Sequence, residues 1–171
     1  MYRRIRTSQL PGLVAGLLTS LSIAYFWPHE PLYATSGDRA AHFSMVTVPV
    51  TDVAKGIIDP LEGIFVLDLV AGQLKGAVID RQAGKFASFY FRDLAKDFAI
   101  QPNQVPEFCM VTGYAQLPNR GAAPMASGVI YFGEYKSGKL AGYCFAWQEK
   151  GGAGPVPLIP FDQFQWKKSD S

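Results

Sequence analysis

FSMVT at residues 43–47 and FCMVT at residues 108–112 are nearly the same pentapeptide, written twice in a chain of 171 residues. Each carries the aromatic and β-branched residues that suit a pleated, half-buried surface. A second match follows in the same order, Gly72-Gln-Leu-Lys-Gly76 against Gly138-Lys-Leu-Ala-Gly142. Between these anchors Ile64-Phe65-Val66 falls on Ile130-Tyr131-Phe132, and Asp68 falls on Glu134. The offset is 65 residues at the first anchor and 66 at the second, so one residue of length difference sits in a connecting loop. Agreement at several ordered points predicts two copies of one β-unit, over 42–91 and 107–164.

Each copy supplies four short apolar runs bounded by turn residues. The first has HFSMVTVPV (42–50), GIFVLDL (63–69), QLKGAVI (73–79) and KFASFYF (85–91). The second has FCMVTGYA (108–115), GVIYFGEY (128–135), KLAGYCFAW (139–147) and PLIPFDQF (157–164). The expected fold of 42–171 is therefore mainly β: a duplicated four-stranded antiparallel meander, built as a sandwich, a barrel or blade-like sheets. Its hairpins resemble those of propeller blades, but two blades cannot close a ring that takes roughly four or more. Either the two sheets pack on one another within the chain, which needs fewer assumptions, or subunits combine. One short helix is expected at RDLAKDFAI (92–100), where Leu94 and Phe98 recur at helical spacing.

Three turns share one design. Asp68 precedes Gly72, Asp80 precedes Gly84 and Glu134 precedes Gly138, each by four residues. Such loops close with a residue at positive φ, which glycine adopts without steric cost, while the acid accepts backbone N–H bonds. These six residues read as turn formers rather than catalysts.

The N-terminus gives the cellular address. Arg3, Arg4 and Arg6 precede a run from Thr7 to His29 that holds no charged residue. Leu10 to Trp27 would span roughly 27 Å as a helix, near the thickness of a bilayer's hydrocarbon core. Leu10, Leu13, Leu17, Leu18 and Leu21 would face lipid, and Tyr25, Phe26 and Trp27 would lie at the far interface. Residues 1–27 thus read as a single-pass anchor or uncleaved signal with Met1 in the cytoplasm, and 28–41 as a tether. A cleaved secretory signal competes, with small residues at Ser22-Ile23-Ala24 and Ala34-Thr35-Ser36, although the apolar run exceeds an ordinary signal core. Both readings put the β-domain outside the cytoplasm, in the periplasm or beyond it, with membrane lipid as a partner of the anchor.

From residue 28 onward 13 Lys or Arg face 14 Asp or Glu, a net of −1. No basic footprint for nucleic acid remains. The set FxMVTG, a Pro- and Gly-containing loop (QLPNRGAAPMAS), GVIYxxExxxGKLAxY and a late Pro-rich segment is similar to a group of short envelope proteins predicted in planctomycete genomes. The resemblance covers about residues 60–166 and implies a membrane-attached or exported β-domain. It brings no activity and no catalytic residues.

Chemistry-bearing patterns are sparse. His29, His42, Cys109 and Cys144 lack metal-ligand spacing, so no metal or other cofactor is expected. Outside the cytoplasm Cys109 and Cys144 can form a disulfide; equally, they can be two small buried apolar groups. MASGV (125–129) lacks the first glycine of a nucleophile elbow, and no phosphate-binding glycine loop is present. Asp93, Asp97 and Glu107 are the acids that space could bring together. The reading that follows is non-enzymatic: an envelope protein with a structural, scaffolding or accessory role, joined to other subunits or to itself. A carbohydrate- or peptide-binding module, resting on the aromatic residues of the strands, is the first alternative; an envelope hydrolase is the second.

Overall fold

The computed structural model describes residue 12 and residues 16–22, 37–50, 61–119, 124–147 and 154–168. They fall in two units, Met1–Ala34 and Thr35–Ser171. In the first, residues 16–22 are helical, with Leu17, Leu18 and Leu21 exposed. Among the described residues no helix is long and apolar enough to cross a membrane. Leu10, Leu13, Tyr25, Phe26 and Trp27 of the expected anchor lie outside the described residues.

The second unit is mainly β. Its strands are β1 (Gly37–Arg39), β2 (Phe43–Pro49), β3 (Glu62–Asp68), β4 (Gln73–Asp80), β5 (Lys85–Asp93), β6 (Phe108–Tyr114), β7 (Gly128–Glu134), β8 (Lys139–Cys144), β9 (Val156–Pro157) and β10 (Ile159–Gln165). The first sheet has the order β1-β2-β3-β4-β5-β9 and the second β10-β8-β7-β6. All neighbours are antiparallel except β5 and β9. The tether stretch 28–41 thus contributes a strand: β1 covers part of the open edge of β2, satisfying backbone groups that would otherwise face only water. The helix is shorter than its sequence pattern. β5 runs on through Arg92 and Asp93, and only Leu94–Asp97 form α1, because Asp93 caps it by accepting from the Lys96 N–H.

The two four-strand meanders, β2 to β5 and β6-β7-β8-β10, have matching hairpin registers. Phe43 pairs with Asp68 and Asp68 with Gln73; Phe108 pairs with Glu134 and Glu134 with Lys139. The turn glycines Gly72 and Gly138 have φ of 65° and 64°. After the fourth strand, the Leu94 and Ala95 N–H groups donate to the Gly72 carbonyl, and those of Trp166 and Lys167 donate to the Gly138 carbonyl.

The matched sheets turn opposite faces to their shared core. Side chains alternate along a strand, so each sheet has two distinct sets. In the first sheet Val46, Val48, Phe65, Leu67, Leu74 and Tyr90 enter the core. In the second Phe108, Met110, Ile130, Phe132 and Tyr143 do so. Phe108 is 1% exposed, yet its counterpart Phe43 is 46% exposed; Phe132 is fully buried, yet Val66 at the matching position is 36% exposed. The matched glycines repeat the inversion, Gly76 lying under Phe65 on the core side and Gly142 under Phe161 on the outer side.

The stack tapers. On one side a Cβ added to Gly128 of β7 would collide with the Pro49 carbonyl and a Val48 methyl of β2. On the other side Tyr90 and Phe145 fill the gap with ring centroids 5.0 Å apart. A small satellite cluster of Met125, Val129 and Cys144, flanked by Tyr131, Ile159 and Phe161, lies outside the second sheet.

Two glycine positions test this geometry. Gly84 and Gly138 share positive φ, but only Gly138 is crowded, with the Lys167 carbonyl oxygen 2.7 Å from an added Cβ. Gly84→Ala should cost about 1–2 kcal/mol from backbone strain alone. Gly138→Ala should cost clearly more, about 1–3 kcal/mol beyond that from overpacking. Thermal unfolding followed by circular dichroism ranks the two; equal losses would show that β10 does not close against the β7–β8 turn.

Candidate functional site: two apolar faces around a polar clasp

β5 ends on Arg92 and α1 ends on Asp97, and the short helix brings the two side chains together. Arg92 Nε and Nη2 donate to Asp97 Oδ2 and Oδ1 at 2.6 and 2.7 Å, a two-pronged pair. Tyr143 of β8 donates its hydroxyl to the same Oδ2 at 2.8 Å, and Arg92 Nη1 donates to the Leu158 carbonyl at 3.1 Å. Burial and the bond to Asp97 push the Tyr143 phenol well above its ordinary range. Tyr90, pushed up to about 12 by burial, donates to the Ala146 carbonyl at 3.0 Å. This cluster clasps the first sheet, the helix, the second sheet and the β9–β10 connection. Its polar side chains all find partners within the protein.

Glu134 is the buried acid of the second sheet. Its carboxylate accepts from the Glu107, Lys136 and Ser137 N–H groups, the last at 2.6 Å. Burial pushes this carboxyl up, but the donors from Ser137, Glu107 and Lys136 outweigh it and hold the group below its ordinary value. Asp68, its exposed counterpart, accepts from Val70 and Ala71 N–H groups, and Asp80 from Gln82 and Ala83. Gly72, Gly84 and Gly138 sit at positive φ at the ends of these turns.

The remaining acids do not converge. Asp93 pairs with Lys96 at 3.2 Å, Asp97 with Arg92, and Glu107 with Lys136 at 3.4 Å. Among the described residues no group of His, Cys, Asp and Glu could hold a metal ion. Cys109 and Cys144 are thiols, not a bridge. They lie on β6 and β8 with β7 between them, about 10 Å across the sheet, beyond the roughly 7 Å limit for bridged Cα atoms.

The surfaces left open are the outer face of the first sheet and the part of the second sheet's outer face not covered by the Met125, Val129 and Cys144 cluster. Outside the first lie Phe43, Met45, Val66 and Phe89, all exposed, with Ile64 and Phe91 partly covered. Outside the second lie Val111, 59% exposed, Phe164 and the partly covered Leu140. A groove of about 450 Å³ follows the seam between β1–β2 and β6, and an apolar one of about 430 Å³ runs beside β5 and β9, over Phe89, Phe91 and Pro157. The exposed aromatic pair Tyr135 and Trp166 sits at the β7–β8 turn, rings 6.3 Å apart. The sequence pattern shows the aromatics of the strands but not the clasp. Arg92, Asp97 and Tyr143 carry no local pattern, since Tyr143 lies 46 residues beyond Asp97.

Asp97→Asn removes a carboxylate from a partly buried guanidinium and should cost about 1.5–3 kcal/mol, whereas Tyr143→Phe should cost about 1 kcal/mol. Urea unfolding measures both, and a loss below 0.5 kcal/mol (about one third of the smaller Asp97 figure) would remove the clasp from the account. Because the Glu134 pKa is lowered on folding, its contribution is complete above the ordinary value of 4.5 and disappears as pH falls through the depressed folded value. Unfolding free energy should therefore fall with acidification below about pH 4.5, and Glu134→Gln, less stable at pH 7, should show a shallower acid limb.

Comparison with known protein families, characterised proteins and solved structures finds no match for this chain.

Proposed function

We propose that this chain is a single-pass, N-in envelope protein whose β-domain stands outside the cytoplasmic membrane as a structural or accessory subunit of a larger complex. The observation that carries the reading is the pair of apolar outer faces flanking a core that is already closed. A sheet face with Phe43, Met45, Val66 and Phe89 in water is a recognition surface or an aggregation hazard, and folded monomers rarely keep such patches without use. The anchor is supported by the three leading arginines, the uncharged run that follows, and the exposure of Leu17, Leu18 and Leu21 on their helix. The two β-sheets are proposed to be an ancient doubling of one meander, which the matched registers, turn glycines and carbonyl contacts support. The engagement of Arg92, Asp97 and Glu134 with one another's neighbours favours a supporting role over a catalytic one.

Membrane fractionation with gentle detergent tests the reading. The chain should stay in the pellet through an alkaline carbonate wash, leave it with detergent, and elute in an assembly larger than one chain with its lipid shell. Recovery of a lone monomer from the soluble fraction would overturn it.

A further inference from the structure

The two outer faces are related to each other by the same register that relates the two sheets. The outer face of the first sheet presents Phe43, Met45 and Ile64 at the positions where the second sheet buries Phe108, Met110 and Ile130. The outer face of the second sheet presents Val111, Tyr131 and Leu140 where the first buries Val46, Phe65 and Leu74 in the core or just beneath it. The chain thus contains one packed example of how these two kinds of face meet, and displays the first sheet's outer face and the part of the second's around Val111 and Leu140, beyond the Val129–Cys144 cluster, without such a partner.

We propose that a second copy of this chain docks the outer face of its second sheet onto the outer face of the first sheet, head to tail, continuing the internal sheet-on-sheet interface. This deepens the scaffolding reading, on which it rests, by naming the chain itself as a partner. Continuing the internal packing, in which β2 lies against β6 and β7, sets Phe43 and Met45 against Val111, with Phe164 at the far edge of its sheet; Asp68, Gln73 and Asp93 add a polar row at one end of the first face. Lys75 of β4, at the position of buried Ala141, is exposed on this face between Val66 and Phe91, and a long lysine stem can lie along apolar surface while its charge stays in water. Four strands about 4.8 Å apart and seven residues of about 3.4 Å give each face a flat footprint of roughly 450 Å², before side-chain relief is added. Two such faces together give roughly 900 Å², which side-chain relief brings near the roughly 1,000 Å² that marks a specific interface.

A head-to-tail contact either closes into a ring or runs on as a filament. Closure into a ring is the form proposed here, an open filament being the alternative that the measured mass would reveal. With two sheets per chain, the roughly four to eight sheets of closed propellers correspond to roughly two to four copies.

The test uses the full chain in mild detergent, with mass by native mass spectrometry and folding by circular dichroism. Val66→Glu blocks the first face and Val111→Lys the second. The unsubstituted chain should assemble into a closed oligomer, and each variant alone should raise the concentration for half-assembly by roughly tenfold or more with an unchanged thermal midpoint. An equimolar mixture of the two variants retains one intact face of each kind and should stop at the dimer. Met45→Lys and Phe164→Lys replace either variant that fails to fold. A monomeric unsubstituted chain, assembly unaffected by both variants, or assembly lost with Val66→Glu but kept with Val111→Lys would overturn the proposal. A monomeric chain that co-elutes with other subunits would do so too while leaving the scaffolding reading standing.

Discussion

Asp97 accepts from both sheets at once. One oxygen takes Arg92 Nη2; the other takes both Arg92 Nε, from the first sheet, and the Tyr143 hydroxyl, from the second. The carboxylate reaches this point because α1 is seated on the β3–β4 turn, where the Gly72 carbonyl receives the Leu94 and Ala95 N–H groups. Apolar packing between sheets is non-directional and tolerates sliding. A directional cluster does not, because a shift of the sheets would leave Arg92 or Tyr143 partly buried without its acceptor. The rest of the stack follows from that fixed angle: β2 close against β7 on one side, and the rings of Tyr90 and Phe145 propping the other.

Opposite sidedness in two sheets of the same register has a simple geometric meaning. Two matched sheets related by a twofold axis would offer the same face to the core. Two related by a translation and a small turn offer opposite faces, as Phe43 and Phe108 do. Stacking of that kind requires both faces of the unit to be apolar. This accounts for the nearly continuous apolar run GIFVLDL, where a sheet with one wet face would alternate. It also accounts for the paired treatment of the turn acids: Asp68 ends its strand in water, while Glu134 ends its strand inside and needs three backbone donors to remain charged there.

Much of the fold was legible from residue order. The strand runs were readable because β-branched and aromatic residues cluster between Gly, Asp and Pro, and even the late PLIPFDQF run supplies β10. The turns were readable because an acid four residues before a glycine is a local chemical device. β1 and β9 were not, since three and two residues carry too little pattern and owe their form to the strands they flank. The helix was overread because Arg92 and Asp93 continue the ladder of β5 onto Leu74 and Gln73, and pairing won over helical propensity. The disulfide reading of Cys109 and Cys144 did not survive because loop length says nothing of the strand that separates them.

The sequence by itself determined the longer strands, their turns and the matched order of their hairpins, since each depends on neighbours within a few residues. Tertiary structure alone decided which face of each sheet is buried. Apolar residues lie on both faces of each sheet, Phe43 and Met45 on one and Val46 and Phe65 on the other, so residue order ranks the faces only weakly. The choice is made by long-range contacts: Asp97 with Tyr143, Gly128 against Val48 and Leu158 beneath Arg92. The residues left over after that choice, Phe43 to Phe89 on one side and Val111 and Phe164 on the other, stay exposed.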